Sequence, residues 1–197
     1  SYIDVTPGGK DSGYMNVNAT RTGYYLAKFM NTVADFLKPL EEQDSRHYNP
    51  MLRKAEVWLN FAEASNEAFG PKVVGPGCTK SAYDVIKIIR EKSGGITDVT
   101  YLDEMAASKE TFRTLIQNER RIEFAFENQR FWDLRRWLLP LNEPIYGMRV
   151  TRDGSGDDVF EVVKVEDRPL NDVRYYYMPL PYLEVQKNPN LINNKGW

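Results

Sequence analysis

At 197 residues, with 42% apolar and 13% aromatic side chains, the chain is long enough for one or two hydrophobic cores and too apolar for intrinsic disorder. Its 26 Lys and Arg against 28 Asp and Glu leave a net charge of −2, which gives no overall positive field for nucleic acid. A single cysteine, Cys78, and a single histidine, His47, exclude an intramolecular disulfide, a multi-cysteine zinc site and most histidine-based metal sites, and no apolar run approaches the roughly 20 residues of a membrane-spanning helix.

Residues 1–50 mix Gly, Asn, Thr and Pro with tyrosines and read as an irregular lead-in, with one helical turn around Tyr24 to Phe29. A helical core is expected over 51–139. Its first helix runs from Leu52 to Phe69, between Pro50 and Gly70-Pro71, and aligns Ala55, Leu59 and Ala62 on a narrow face that lets a second helix approach closely. Ser81 to Lys92 follows the helical period through Tyr83, Ile86 and Ile89 and stops at Gly94-Gly95, so the two helices form an antiparallel pair. A third helix starts near Lys109 and is expected to continue to Glu127. Phe112, Leu115, Ile122 and Phe126 share one side of its wheel while Phe124 and Phe131 point away, which predicts an interior helix covered on two faces. Residues 140–197 read as short strands at Val150 and Phe160–Val165 around an Asp153–Asp158 loop, then an extended C-terminal strap from Arg174.

The segment from Glu119 to Trp137 is the most specified text. Its Glu119, Arg120, Glu123, Glu127, Arg130, Asp133, Arg135 and Arg136 are read as a structural ion lattice, in which forked guanidinium groups satisfy carboxylates between aromatic layers. A catalytic carboxylate pair is the weaker reading, because the accompanying arginines neutralise the acids. Asp153–Asp158 lacks the spacing of a calcium loop, and the Gly-Pro-Lys stretch at 70–77 lacks the Gly-Lys-Ser/Thr that would open a phosphate-binding helix. His47 has no cysteine or second histidine nearby, and any triad would have to be built on it. No catalytic, metal or cofactor residue is therefore assigned. Trp58, Trp132 and Trp137 are expected in the core, and Trp197 as an anchor of the terminus. Tyr14, Tyr24, Tyr25 and Tyr48, in polar surroundings, are the candidates for stacking on a ligand.

Three segments, Arg53–Glu67, Asn118–Trp137 and Met178–Leu191, with Ala82–Arg90 between the first two, closely resemble the SusD/RagB-like nutrient-binding lipoproteins of the Bacteroidetes outer membrane, in their C-terminal region. The end differs, reading Leu191-Ile192-Asn193-Asn194-Lys195-Gly196-Trp197 where relatives often have Gln-Asn-Pro-Gly-Tyr. The resemblance implies a mainly α protein of tetratricopeptide-like helix pairs with an irregular subdomain of short strands and an extended C-terminal strap. It implies non-enzymatic, surface-exposed binding of glycans, glycoproteins or similar nutrients and their delivery to a SusC-like TonB-dependent transporter. It also implies no cofactor, a lipid anchor outside this sequence, and a chain that is the C-terminal part of a longer receptor. The alternative from the residues alone is a helical-repeat protein-interaction module with no small ligand.

Overall fold

The computed structural model describes residues 3–12, 17–29 and 50–197. It separates into two compact units, one of residues 29–130 and one of residues 1–28 with 131–197.

The first unit is helical. α1 (Lys54–Phe69) packs against α2 (Ala82–Gly94) and α4 (Lys109–Glu123), with the short α3 (Thr100–Met105) between the last two in sequence. The small-residue face of α1 is used as its spacing suggests: Leu59 and Ala62 are fully buried, and Ala82 opens α2 equally buried. Around them close Val85, Ile86, Ile89, Leu102, Phe112, Leu115, Ile116 and Phe124, one continuous core. Truncating a fully buried leucine such as Leu59 to Ala in such a core costs about 2–5 kcal/mol. Local chemistry sets the helix ends. Ser81 and Asp84 form a reciprocal capping box at α2, and Ser108 and Thr111 do the same at α4. α2 stops at Gly95, whose backbone is left-handed (φ 64°), a conformation that a side chain would disfavour, and whose N–H reaches the carbonyl of Arg90. The short α3 escapes the sequence reading because its start is a local device, the Asp98 carboxylate accepting from the Thr100 amide and hydroxyl.

The expectation of one interior helix from Lys109 to Glu127 is corrected. α4 ends at Glu123, and the chain turns through Phe126 (φ 65°) and Asn128 (φ 61°) before α5 (Gln129–Arg136) begins. The turn breaks the 100° phase on which the wheel relied. Phe124 is consequently buried, while Ile122 (62%) and Phe126 (68%) are exposed. Trp132, expected in the core, is 58% exposed for the same reason. Trp58 and Trp137 are partly buried, under the Lys54 ammonium and the Arg136 guanidinium respectively.

In the second unit, β1 (Ile145–Arg152) and β2 (Asp158–Glu166) form an antiparallel hairpin, with Met148 opposite Val162 and Val150 opposite Phe160. The Asp153 carboxylate shapes its turn by accepting from the amides of Ser155 and Asp157 and from the Ser155 hydroxyl. Along β1 lies the segment Thr20–Gly23, whose Thr22 carbonyl accepts from the Met148 amide at 2.8 Å. A Cβ at Gly147 would stand 2.7 Å from that carbonyl oxygen, so only glycine permits the approach. The tail is not extended throughout, as expected from its prolines. It forms a 3₁₀ turn (Val173–Tyr176) and α6 (Tyr182–Lys187), then folds back on itself. The Trp197 indole donates to the carbonyls of Arg174 and Tyr177, and the Asn194 amide donates to that of Met178.

Candidate ligand-binding surface

The helical unit gathers its charges around α4. Arg53, the residue before α1, lays its guanidinium between two carboxylates from the far end of α4. Nε and one terminal nitrogen bind both oxygens of Glu127 at 2.8 and 2.7 Å, and the other nitrogen binds Glu123 at 2.8 Å. A fourth bond reaches the Glu123 carbonyl at 3.0 Å. The Glu127 hydrogen bond, with Glu123 behind it, holds the Arg53 pKa above its ordinary value against the opposing effect of burial. Glu119, one turn earlier, is met at 2.5 Å by Arg90 of α2. Buried Arg120 donates to the Asn60 side chain of α1 at 2.7 Å and, like Arg53, lies over the Phe124 ring. Such a ring contact contributes about 0.5–1 kcal/mol where exposed and about 2 kcal/mol where desolvated, as at buried Arg120 and Phe124.

Glu119, Glu123 and Glu127 are thus each met by an arginine of a distant segment. Arg53 and Arg90, absent from the residues singled out by local spacing, supply the cations. Further along, Asp133 is buried and accepts from Arg136 at 2.8 Å, while Arg135 donates to the Phe131 carbonyl and stacks on its ring at 3.5 Å. Arg130 is half-buried. Glu119, Glu123 and Glu127 are each held against a guanidinium.

Of the four tyrosines expected to stack, Tyr14 and Tyr48 lie outside the described residues, as does His47. Tyr24 and Tyr25 are exposed. Tyr25 donates its hydroxyl to the Asp11 carbonyl at 2.7 Å, which fixes the ring. Asp11 also lines an open cleft of about 340 Å³ in the hairpin unit, together with Thr20, Arg21, Met148, Arg149 and Lys164. The three cations of this cleft are matched by acids, Arg21 by Glu166 (3.1 Å), Arg149 by Glu161 (3.4 Å) and Lys164 by Asp167 (3.1 Å). The cleft is therefore near neutral, with Val5, Val150, Val163 and Val165 giving it an apolar wall beside its polar groups, and it suits hydroxyl-rich ligands with an apolar face more than ions. Among the described residues no group of three or more His, Cys, Asp or Glu is arranged to hold a metal, and Cys78 is exposed and unbonded to another cysteine.

Against known proteins, the model of the SusD family matches residues 4–197. The chain belongs to the SusD family. Among curated proteins of this family it is similar to SusD-like protein P2 of Formosa agariphila, 32% identical over 161 residues, and to SusD-like protein P25 of the same organism, 29% identical over 175 residues. These alignments cover 79% and 86% of this chain and 27% of each relative, so the chain spans about a quarter of the length of the SusD-like proteins it matches. A crystal structure of a SusD-like protein from Bacteroides fragilis superposes with a TM-score of 0.55 at 37% identity, over 74% of this chain and 25% of that one. In a SusD-family frame, the Arg53, Glu123 and Glu127 cluster joins the first and third of the segments that run from α1 to α5.

Proposed function

We propose that this chain serves in a non-enzymatic receptor at the surface of the outer membrane, which binds glycans or similar nutrients and delivers them to a SusC-like TonB-dependent transporter. The observation that carries the reading is the family match from residue 4 to residue 197. The surface chemistry supports it. Exposed aromatic rings at Tyr24, Tyr25, Phe126 and Trp132 offer apolar faces without forming a deep apolar pocket, and the near-neutral cleft beside Tyr25 supplies hydroxyl partners. Shallow stacking of this kind suits a long, polar, flexible ligand held at many weak contacts. Attachment to the membrane is assigned to a lipid outside this sequence.

An array of immobilised oligosaccharides and glycoproteins probed with the whole chain tests the binding half, and affinity isolation from detergent-solubilised outer membrane tests the delivery half. The proposal expects a saturable response to a related set of glycans and co-isolation of a β-barrel transporter. A folded chain that answers no glycan yet holds a stable protein partner overturns it in favour of the helical-repeat interaction module.

A further inference from the structure

The β1–β2 hairpin has one covered edge and one open edge. On the β1 side, Met148 turns its amide away from β2 and gives it to the Thr22 carbonyl, so Thr20–Gly23 closes that edge. Main-chain groups alternate in direction along an antiparallel pair, and residues opposite one another turn outward together. Val162, opposite Met148, therefore points its N–H and C=O to the far side of β2, and Phe160 and Lys164, two positions away on either side, do the same. Among the described residues, no main-chain bond outside the β1–β2 ladder reaches Asp158–Glu166. The open edge is also apolar. Phe160 (66%) and Val162 (67%) are exposed on the face they share with Tyr146 (57%), and β2 contains no proline or glycine to blunt it. Folded proteins protect such an edge or pair it with another strand.

Charge selects the strand that pairs there. Residues 157–167 carry Asp157, Asp158, Glu161, Glu166 and Asp167 against Lys164 alone. The arginines that answer three of these acids, Arg152, Arg149 and Arg21, stand on the covered side, on β1 and the segment beyond it. Those pairs are well solvated and hold their acids weakly, so a second cation arriving at the open edge is attracted as well. A second copy of β2 fits poorly, because pairing it antiparallel about Val162 sets Asp158 opposite Glu166 at both ends. We propose that the outer edge of β2 receives an extended strand of a partner protein in which Lys or Arg alternates with apolar side chains. Its backbone bonds to Phe160, Val162 and Lys164, its apolar side chains cover the Phe160 and Val162 face, and its cations meet Glu161 and the acids at the two ends of β2.

The test titrates the whole chain into a fluorescein-labelled peptide, Lys-Thr-Val-Arg-Val-Arg-Val-Thr-Lys, and into its counterpart with Glu at every Lys and Arg, read by anisotropy, with amide hydrogen exchange on the complex. The expected result is saturable binding of the basic peptide, binding of the acidic one weaker by at least tenfold, and slowed exchange at Phe160, Val162 and Lys164. Val162→Pro removes an outward donor without taking one from the β1–β2 ladder, and Val162→Lys keeps the donor but sets a like charge against the peptide. Each should weaken binding at least tenfold; if Val162→Pro disturbs exchange within the ladder, Val162→Lys decides. Silence toward the basic peptide overturns the proposal, as does equal binding of the two peptides or undiminished binding by Val162→Lys. Slow exchange at the three amides before peptide is added overturns it too, in favour of a second copy where the chain sediments as a dimer and of a segment of the chain itself where it sediments as a monomer.

Discussion

Replacing Arg53 with Ala removes the guanidinium that bridges two carboxylates lying mostly out of water. Arg53 makes three side-chain bonds of 2.7–2.8 Å to Glu123 and Glu127, its side chain is 22% exposed, and the two glutamates are less exposed still. Breaking a well-buried pair costs about 3–5 kcal/mol, and the residual water access here places Arg53→Ala near the lower bound, about 3 kcal/mol. For a chain of this length each kcal/mol shifts the melting temperature by about 2–4 °C, so a fall of about 6–12 °C is expected in thermal unfolding followed by circular dichroism at 222 nm. Glu123→Ala and Glu127→Ala should each cost less, because Arg53 retains one partner in either variant. The triple change Arg53→Met, Glu123→Leu, Glu127→Met should recover part of the loss, since it removes the bridging cation and both of these acids together. An Arg53→Ala melting temperature within 2 °C of the parent would refute the role assigned to this cluster, and so would a single glutamate variant that loses more than Arg53→Ala.

Four further outcomes follow from local geometry. Ser81→Ala removes the side-chain half of the α2 capping box and should lower stability by about 1 kcal/mol in urea titration. The Asp84 carboxyl is held below the usual carboxylate range, first by the Ser81 backbone N–H; a depressed folded-state pKa adds stability above about pH 3.9 that is lost as pH falls through the folded value. Asp84→Asn should therefore flatten the acid limb of a melting-temperature profile below about pH 4, and an unchanged limb would contradict the assignment. Glu67 binds Arg113 with two bonds of 2.6 Å, yet both side chains are well solvated, so Glu67→Gln should cost less than about 1 kcal/mol and the difference should shrink in 0.5 M salt, to roughly a Debye length of 4 Å. Gly147→Ala should push Thr20–Gly23 off β1 and speed hydrogen exchange of the Met148 amide, with the α1 and α2 amides unaffected.

Periodicity carried much of the helical unit. Ala55, Leu59 and Ala62 mark a close-approach face, Gly94-Gly95 a stop, and Val150 with Phe160–Val165 the hairpin, all within reach of a few neighbouring residues. What spacing misses is whatever depends on distant chain. Glu123 and Glu127 are bridged by Arg53, some 70 positions away, and Glu119 is met by Arg90, so an ionic reading confined to Glu119–Trp137 found the local Asp133–Arg136 pair but not these distant cations. Phase errors explain the rest. A wheel drawn through Phe126 assumes an unbroken helix, and two left-handed residues in the turn after Glu123 turned Phe126 outward, while Ile122 is exposed within the last turn of α4 itself. Asn128 was the one textual hint, as the residue type besides glycine that best tolerates that backbone. Of the tyrosines chosen for polar surroundings, Tyr24 and Tyr25 are at the surface, while Phe126 is read as core because the wheel aligns it with Phe112, Leu115 and Ile122.

The central claim is that this chain binds glycan, and calorimetric titration of the folded chain with the oligosaccharides that respond on an array tests it most directly. The account predicts a saturable heat for at least one oligosaccharide, unaltered by Glu67→Gln. A folded chain that gives no heat with any of them contradicts it.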